Sequence, residues 1–361
     1  WIGYNMAYAA ISKPSLHFDG KTYLGSSNAV TVTGLGFQPD LVWVKDRDNA
    51  NNHCLVDVVR GTGKYMSSNN TTAEVNNSSQ SISAFTSDGF TTGTANPANE
   101  AASTTLGFMS WNWKAGNSAG SSNSDGSITS TVSANTTAGF SIVKYTGTGS
   151  NATVGHGLGA APKMVIVRRI SPGGEWYVHA SQLNDNEKVL VLNTTAANAN
   201  ASTVFNNTAP TSSVFSLGTN GDANGNTYEH IAYCFAEKKG YSKFGKYTGN
   251  GNADGTFVYT GFKPAFFLIK RYDGVEGWYL MDAIRNPSNL TSRQLFPASN
   301  SVENNMTSSS QVNGDILSNG FKVRATDTAV NASSGGYIYM AFAENPLVAN
   351  ITSNGIPATA R

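Results

Sequence analysis

The sequence predicts an all-β fold of three tandem antiparallel β-sandwich (jelly-roll-like) units of about 100 residues each. Apolar stretches are short and rich in Val, Ile, Phe, Tyr and Trp, which is typical of strands. Turn-forming Gly, Asn, Asp and Ser separate these stretches, and the same series of segments occurs three times. Patterns of helical crossovers are missing between the strands, which favours sandwiches over βαβ units.

The first repeated segment opens each unit. A Tyr-x-Gly is followed by a polar turn, a Gly, a Pro, an apolar run and a basic pair, in the ranges Tyr23–Arg47, Tyr145–Arg169 and Tyr247–Arg271. The prolines are Pro39, Pro162 and Pro264. A glycine-rich loop binds phosphate when it follows a strand and opens a helix. Here each loop enters a β-branched or aromatic run, so a hairpin turn is expected.

Further segments match in the same order. A second apolar strand is expected within each of His53–Gly61, Glu175–Leu183 and Gly277–Arg285. Each unit closes with an aromatic strand, within Leu106–Gly116, His230–Gly240 and Tyr337–Pro346. Several blocks that match in order are a much stronger signal than one glycine cluster.

These matches predict the organisation of the chain. The expected parts are an N-terminal arm or edge strand (1–16), unit 1 (17–116), a linker (117–138), unit 2 (139–240), unit 3 (241–346) and a C-terminal tail (347–361). The connector between units 1 and 2 is long and polar, whereas units 2 and 3 are nearly contiguous. We therefore expect units 2 and 3 to pack closely and unit 1 to be more loosely hinged.

Composition excludes several classes of protein. Charged residues make up 13% of the chain and the net charge is +1, so the clustered Lys and Arg of a nucleic-acid-binding surface are missing. Aromatic residues at 11% argue against disorder. No apolar run is long enough for a transmembrane helix, so no membrane insertion is expected. Cys54 and Cys234 are expected to be free, buried thiols.

Two repeated carboxylates are the candidate catalytic groups. Asp57 and Asp282 each precede an arginine by three residues, Arg60 and Arg285. We expect each Asp to pair with its own Arg or to cap a turn, because a catalytic site rarely occurs in tandem copies. The alternative is a polysaccharide depolymerase, in which two carboxylates face one cleft.

Metal and cofactor sites are not expected. The five histidines share no short spacing, and no nucleophile motif is present. The runs Asn220–Asn226 and Asn250–Gly255 carry oxygen ligands that Ca²⁺ accepts, but they lack the EF-hand pattern with its distal Glu. Simple turns are the favoured interpretation. We therefore expect a non-enzymatic chain without a cofactor.

Two groups of residues are candidates for contacts with partners. Aromatic and basic side chains near the first two strands of units 2 and 3 are candidate glycan or partner contacts: Trp176, Trp278, Arg169 and Arg271. Core positions are the competing interpretation for the tryptophans, and strand-end ion pairs for the arginines. The apolar start of the chain is a candidate subunit-docking arm: Trp1, Ile2, Tyr4, Met6 and Tyr8.

Several long motifs carry a resemblance to a known family. They are "GLGFQPDLVWVKDR", "FTSDGF", "NWKAG", "YTGTGSNATVGHGLGAAPKMVIVRR", "YCFAEKKGYSKFGKYTGNGNADGTFVYTGFKPAFFLIKR" and "ILSNGFKVRA". Together they resemble virion structural proteins of bacteriophages of the marine phage and cyanophage type, which are tail-fibre-like. The resemblance covers roughly residues 18–346.

The resemblance implies a place on the virion surface, with other virion proteins as partners. We expect a tail-fibre or adhesin-type component that contacts virion proteins and a host surface glycan. Capsid decoration or a head fibre is the alternative, and a polysaccharide depolymerase is the second. Exposed sheet edges and the apolar arm favour association with copies of the same chain. A homotrimer is expected from the virion setting.

Overall fold

The computed structural model describes residues 9–101 and 105–348 and shows an all-β protein. The helices of the described residues are single turns: α1 (Ser202–Phe205), α2 (Gly221–Asn224) and α3 (Thr328–Asn331), with 3-10 turns at Pro14–Leu16, Ser78–Gln80 and Ser181–Leu183. All sheets are antiparallel between neighbouring named strands, as expected for strands joined by tight turns. The prediction of an all-β fold is confirmed.

Unit 1 contributes nine strands. They are β1 (Phe18–Tyr23), β2 (Thr31–Val32), β3 (Leu41–Asp46), β4 (Cys54–Asp57), β5 (Lys64–Tyr65), β6 (Val75–Asn76), β7 (Ile82–Thr86), β8 (Gly89–Thr92) and β9 (Phe108–Trp113). A large sheet has the order β1-β9-β3-β4, a small sheet has the order β2-β8-β7, and β5 pairs with β6. Every residue of β3 and β9 is buried, because both faces of the large sheet are covered.

Unit 2 and the segment before it contribute ten strands. They are β10 (Ser121–Asn123), β11 (Ser130–Asn135), β12 (Phe140–Thr146), β13 (Ala152–Gly155), β14 (Met164–Arg169), β15 (Tyr177–Ala180), β16 (Lys188–Val191), β17 (Ala199–Asn200), β18 (Val214–Leu217) and β19 (Glu229–Phe235). The large sheet has the order β10-β11-β12-β19-β14-β15-β16-β17, and β13 pairs with β18. The predicted linker 117–138 therefore contains two strands of this sheet, since its alternating Thr131, Val132 and Ser133 pair with β12.

Unit 3 contributes nine strands. They are β20 (Ser242–Thr248), β21 (Phe257–Tyr259), β22 (Phe262–Arg271), β23 (Trp278–Asp282), β24 (Arg293–Gln294), β25 (Asn304–Asn305), β26 (Gly314–Leu317), β27 (Gly320–Val323) and β28 (Gly336–Pro346). The large sheet has the order β20-β28-β22-β23, the small sheet has the order β21-β27-β26, and β24 pairs with β25.

The same order of four strands occurs in the large sheet of each of the three predicted units. The sets β1-β9-β3-β4, β12-β19-β14-β15 and β20-β28-β22-β23 each place the opening strand beside the closing strand. Pairing registers align Leu41, Met164 and Phe266, because these residues face Trp113, Phe235 and Phe342 of the closing strands. The three repeated prolines each lie two residues before these positions. This recurrence supports the interpretation as three units, whose boundaries remain predictions.

The buried side chains form one shared core and three outer clusters. The shared core takes residues from all three units, among them Trp113, Phe140 and Phe342. The outer clusters lie on the opposite faces of the large sheets, one for each unit. The expectation that unit 1 is loosely hinged is wrong, since the Phe18 ring stacks on Phe342 at 5.1 Å and Trp113 contacts Phe235.

Both ends of the described chain lie close to Gly240, at the connection between units 2 and 3, since Ala9 and Pro346 both border this residue. Ala9 and Ile11 are buried, and the amide of Ala10 donates to the carbonyl of Lys239. The predicted docking residues Trp1, Ile2, Tyr4, Met6 and Tyr8 lie outside the described residues, as do residues 349–361 of the predicted tail.

Candidate functional site

The two tryptophans predicted as exposed contacts are buried at junctions between units. Trp176 is 0% exposed and Trp278 is 1% exposed. The Trp176 indole Nε1–H donates to the Ser67 carbonyl of unit 1 at 2.8 Å, and Trp278 donates to the Val191 carbonyl of unit 2 at 3.0 Å. A ring in this position cannot stack on a sugar from solution. The candidate glycan contact at these side chains is wrong and the competing interpretation as core positions is confirmed, because each lies at the start of a strand whose inner face packs against another unit.

His53 occupies the equivalent position of unit 1. Registers align Asp57, Ala180 and Asp282, so His53, Trp176 and Trp278 each lie four residues earlier on their strands. The Trp43 indole, which can only donate, gives its hydrogen to His53 Nδ1 at 2.8 Å. His53 Nε2 therefore carries the proton and donates to the Phe296 carbonyl of unit 3 at 3.0 Å. Burial, with the charge of Lys45, lowers the pKa of His53 to about 3, which keeps the ring neutral.

A backbone hydrogen bond repeats at the same three junctions. The amides of Glu74, Asn198 and Glu303 donate to the carbonyls of Ile170, Tyr272 and Arg47, at 2.9, 2.8 and 3.0 Å. Both sets of contacts join unit 2 to unit 1, unit 3 to unit 2 and unit 1 to unit 3. The contacts therefore close a ring of three units within one chain. Sequence reasoning missed this ring, although the alignment of His53 with the two tryptophans was visible in the repeat.

Two junctions contain buried ion networks. Arg60 binds Asp57 at 2.6 Å and Glu74 at 2.9 Å, and Tyr233 of unit 2 donates to Asp57. The second network has the same geometry: Arg285 binds Asp282 at 2.6 Å and Glu303 at 3.0 Å, and Trp111 of unit 1 donates to Asp282. The prediction that each Asp pairs with its own Arg is confirmed. Both carboxylates are buried at different junctions, so they do not form the open pair that a depolymerase needs.

Glu303 is the most heavily paired carboxylate of these networks. Arg47, Arg285 and Arg293 all lie within 3.0 Å of its oxygens, and its side chain is 1% exposed. Burial acts to raise the pKa of Glu303. The hydrogen bonds and charges of the arginines outweigh that effect and hold the pKa at about 2.

The third junction carries apolar and neutral residues at the same positions. Ala180 replaces the aspartate and Leu183, three residues on, replaces the arginine, as the aligned registers show. Asn198 replaces the glutamate, since its amide makes the equivalent hydrogen bond across the junction. The closing-strand donor is also gone, since Met340 faces Leu268 where Tyr233 faces Ile166. A buried ion network tolerates complete replacement by apolar residues far better than loss of one partner. The junctions are therefore either fully ionic or fully neutral.

Arg169 and Arg271, the predicted basic contacts, lie at the outer ends of equivalent strands. Arg169 pairs with Asp222 at 3.0 Å and covers the Tyr228 ring, and Arg271 pairs with Asp273 at 2.8 Å. Both side chains are about a fifth exposed. The preceding cations of the same strands, Arg168 and Lys270, are buried and donate to backbone carbonyls. The structure thus does not bring the two predicted arginines together with the predicted tryptophans in an open groove.

The Asn- and Asp-rich runs form turns. Asn220 caps α2 by accepting from the amides of Asp222 and Ala223. Asn250 and Asn252 accept from amides two residues onward, which is the Asx-turn geometry. Within residues 9–101 and 105–348, no group of three His, Cys, Asp or Glu side chains is placed to hold a metal ion. The thiols of Cys54 and Cys234 are free and buried, as predicted.

Open grooves lie at the outer rim of two junctions. A groove of about 450 Å³ is lined by Glu276, Tyr279, Phe296 and Asn304 of unit 3 and by Thr195 of unit 2. A second groove of about 300 Å³ is lined by asparagines 51, 52 and 96 of unit 1 and by Asn300 of unit 3. The cavity inside the shared core measures only about 10 Å³, so the centre of the ring is packed and has no room for a ligand.

A family model matches residues 13–346, which is most of the chain. The chain belongs to the DUF7483 family. The family is described as a domain of unknown function. No curated protein and no solved structure matches the chain. The matched range includes the three repeated strand sets and all the junction residues, so the ring lies within the family's domain. No helix of the described DUF7483 residues combines the length and apolar character that crossing a membrane requires.

Proposed function

We propose that the chain is a non-enzymatic structural protein on the surface of a bacteriophage virion, of the tail-fibre or adhesin type. In this proposal the chain binds other virion proteins and a host surface glycan. Capsid decoration or a head-fibre role is the alternative location for the same kind of contact. Long motifs such as "GLGFQPDLVWVKDR" and "FTSDGF", which resemble phage virion proteins, support the virion setting.

The observation that carries the contact role is the use of the buried polar side chains. Asp57, Asp282 and Glu303, which are chemically the strongest candidates for acid–base work, are consumed in ion pairs between and within units. Their partners lock the ring, so these three carboxylates are not free to transfer protons to a ligand. A rigid ring whose outer surface is open to solvent is suited to binding partners and to assembly.

The proposal extends to partners and assembly. Other virion proteins are the proposed partners, and copies of the same chain are proposed to associate, with a homotrimer as the expected stoichiometry. Light scattering of the purified chain measures that stoichiometry directly. A mass of one chain at all concentrations would contradict the homotrimer. It would not affect the proposed virion location, which has its own test.

Imaging of intact particles tests the virion proposal. Particles of the phage that encodes this chain are labelled with an antibody raised against residues 13–346 and viewed by electron microscopy, with a particle lacking the gene as the control. Label at the tail is expected, and label on the head would support capsid decoration. Absence of the chain from washed particles, measured by mass spectrometry, would overturn the proposal.

Enzymatic activity has a separate test. Purified chain is incubated with host capsule, and reducing sugar is measured over time against a known depolymerase. No release is expected. Any release of reducing sugar by the chain would contradict the non-enzymatic proposal. Release that persists in Asp57→Asn and Asp282→Asn would also locate catalysis at other residues of the chain.

A further inference from the structure

We infer that the groove between units 3 and 2, at Tyr279 and Phe296, is a binding site for a neutral saccharide. This inference rests on the proposed contact function and names the ligand of one surface. It places glycan recognition at the rim of a junction, where the buried Trp278 also borders the groove.

Two aromatic rings form one wall of the groove. Tyr279 and Phe296 are partly exposed, and their ring centroids are 5.4 Å apart at 81°. Tyr279 belongs to β23 and packs on the outer cluster of unit 3, so its orientation is held by the fold. Rigid, half-exposed rings offer an apolar face for the C–H face of a pyranose at little cost in conformational entropy.

Polar groups in the groove are available to a ligand. Within the described residues, neither the Tyr279 hydroxyl nor the Asn304 side-chain amide has a hydrogen-bond partner in the protein. Ser299 and Ser301 bring their hydroxyls to 2.7 Å of each other beside them. Burial, with the charges of Asp327 and Glu276, raises the pKa of Tyr279 to about 12, so its hydroxyl stays protonated and can donate. Amide and hydroxyl groups beside an aromatic face match the alternating donors and acceptors of a sugar ring.

The charge of the groove selects among sugars. Glu276 is the ionisable acid among the residues that line it, and the described lining includes no Lys or Arg. An acidic sugar would therefore meet a carboxylate and no compensating cation. Neutral hexoses and N-acetylated hexosamines fit the site, whereas uronic acids do not.

The equivalent positions of the other units do not form such a site. Tyr177 of unit 2 aligns with Tyr279, but its hydroxyl accepts a hydrogen bond from Asn220. Beside it, the carboxylate of Asp222 lies against Gly174 and pairs with Arg169. Cys54 of unit 1 aligns with the same position and is fully buried. The open aromatic groove is therefore a specialisation of unit 3 on a shared framework.

Saccharide titration of the purified full chain tests the inference. Binding of lactose, maltose and N,N′-diacetylchitobiose is measured by calorimetry and saturation-transfer NMR, with digalacturonate as the charged comparison. At least one neutral disaccharide is expected to bind in the millimolar range or tighter. Its ring protons should receive saturation when the aromatic protons of the protein are irradiated. Digalacturonate is expected to bind at least tenfold more weakly. Equal or tighter binding of digalacturonate, or no binding of any neutral disaccharide, would overturn the inference.

Substitutions locate the site. Tyr279→Phe and Asn304→Ala each remove one polar group at the surface and are expected to weaken binding about 5- to 20-fold, as loss of a single hydrogen bond does. Tyr177→Phe is the matched control and should leave binding unchanged. Unchanged affinity in both unit 3 variants would place the sugar elsewhere and contradict the inference. A chain that is found in particles but binds no sugar would refute this site and leave the proposed virion role intact.

Discussion

At the scale of single residues, the junctions depend on complete pairing of buried charges. Glu303 binds three arginines, of which Arg285 is fully buried and Arg47 nearly so. Such a carboxylate is stabilising only while its partners are in place, because desolvation of an unpaired ion costs more than the pair gains. Residues of this kind are sensitive to substitution even though they take no part in chemistry.

Removal of the Glu303 charge should therefore destabilise the ring. Glu303→Gln is expected to lower the free energy of unfolding by about 3 kcal/mol, because Arg47 and Arg285 lose their shared carboxylate. Urea denaturation followed by tryptophan fluorescence measures the change. Glu229→Gln, which breaks the exposed pair with Lys144, is the control and should cost less than about 1 kcal/mol. Similar effects of the two substitutions would contradict the role given to Glu303.

Acid should weaken the protein through the same residue. The pKa of Glu303 is about 2 in the fold, against 4.5 for an ordinary Glu, so its contribution is complete above pH 4.5. That contribution, about 3 kcal/mol, is lost as the pH falls from about 4.5 towards 2. The free energy of unfolding, measured by denaturation between pH 7 and pH 3, should decrease below about pH 4.5. In Glu303→Gln this decrease with pH should be smaller. His53, whose pKa is about 3, adds a loss of the same sign that begins near pH 6.5.

At the scale of secondary-structure elements, the start of one strand in each unit fastens that unit to its neighbour. His53, Trp176 and Trp278 immediately precede or begin β4, β15 and β23, and each donates to a carbonyl of the next unit. The repeat allowed the strands along the chain to be predicted, but not their order within the sheets. It did not reveal that both faces of the large sheets are buried, because a tryptophan in a short apolar strand has the same pattern whether it faces solvent or a neighbouring sheet.

Substitution of these tryptophans should measure the junction hydrogen bonds. Trp176→Phe and Trp278→Phe each remove one donor from a carbonyl across the junction. The Ser67 carbonyl keeps its bond from Arg168 and the Val191 carbonyl keeps its contact with Thr194, so each substitution should cost about 0.5–1.5 kcal/mol beyond the loss of ring size. Trp113→Phe is the matched control, because its buried indole nitrogen has no hydrogen-bond partner in the described structure. Denaturant titration of the three variants gives the comparison. An equal cost for Trp113→Phe would show that packing alone determines the effect.

The neutral junction should accept charge only as a complete set. Ala180→Asp buries an unpaired carboxylate at a position 2% exposed and should cost about 3–5 kcal/mol. Adding Leu183→Arg and Asn198→Glu supplies the arginine and the second carboxylate of the other two junctions and should recover at least about 1 kcal/mol relative to additivity. A strictly additive triple variant would show that the junctions are not equivalent.

At the scale of the whole molecule, the three units behave as one body. The core that includes Trp113, Phe235 and Phe342 draws on all of them, and each unit also has an outer cluster of its own. Sequence reasoning predicted the all-β class and the repeat, since both are local patterns. It did not predict that the linker pairs with unit 2 or that unit 1 is packed against the others, because a polar connector such as 117–138 can form the outer two strands of a sheet and still join packed units.

Hydrogen exchange of Trp113→Ala, read by mass spectrometry, tests the shared core most directly. Trp113 belongs to unit 1, and its ring contacts Phe140 and Phe235 of unit 2 and Phe266 and Phe342 of unit 3. The variant should lose protection in the central strands β9, β19 and β28 together, with Tyr228→Ala at the surface as a control that changes none of them. Loss of protection confined to β9 and the other strands of unit 1 would show that the units fold separately and would contradict the ring.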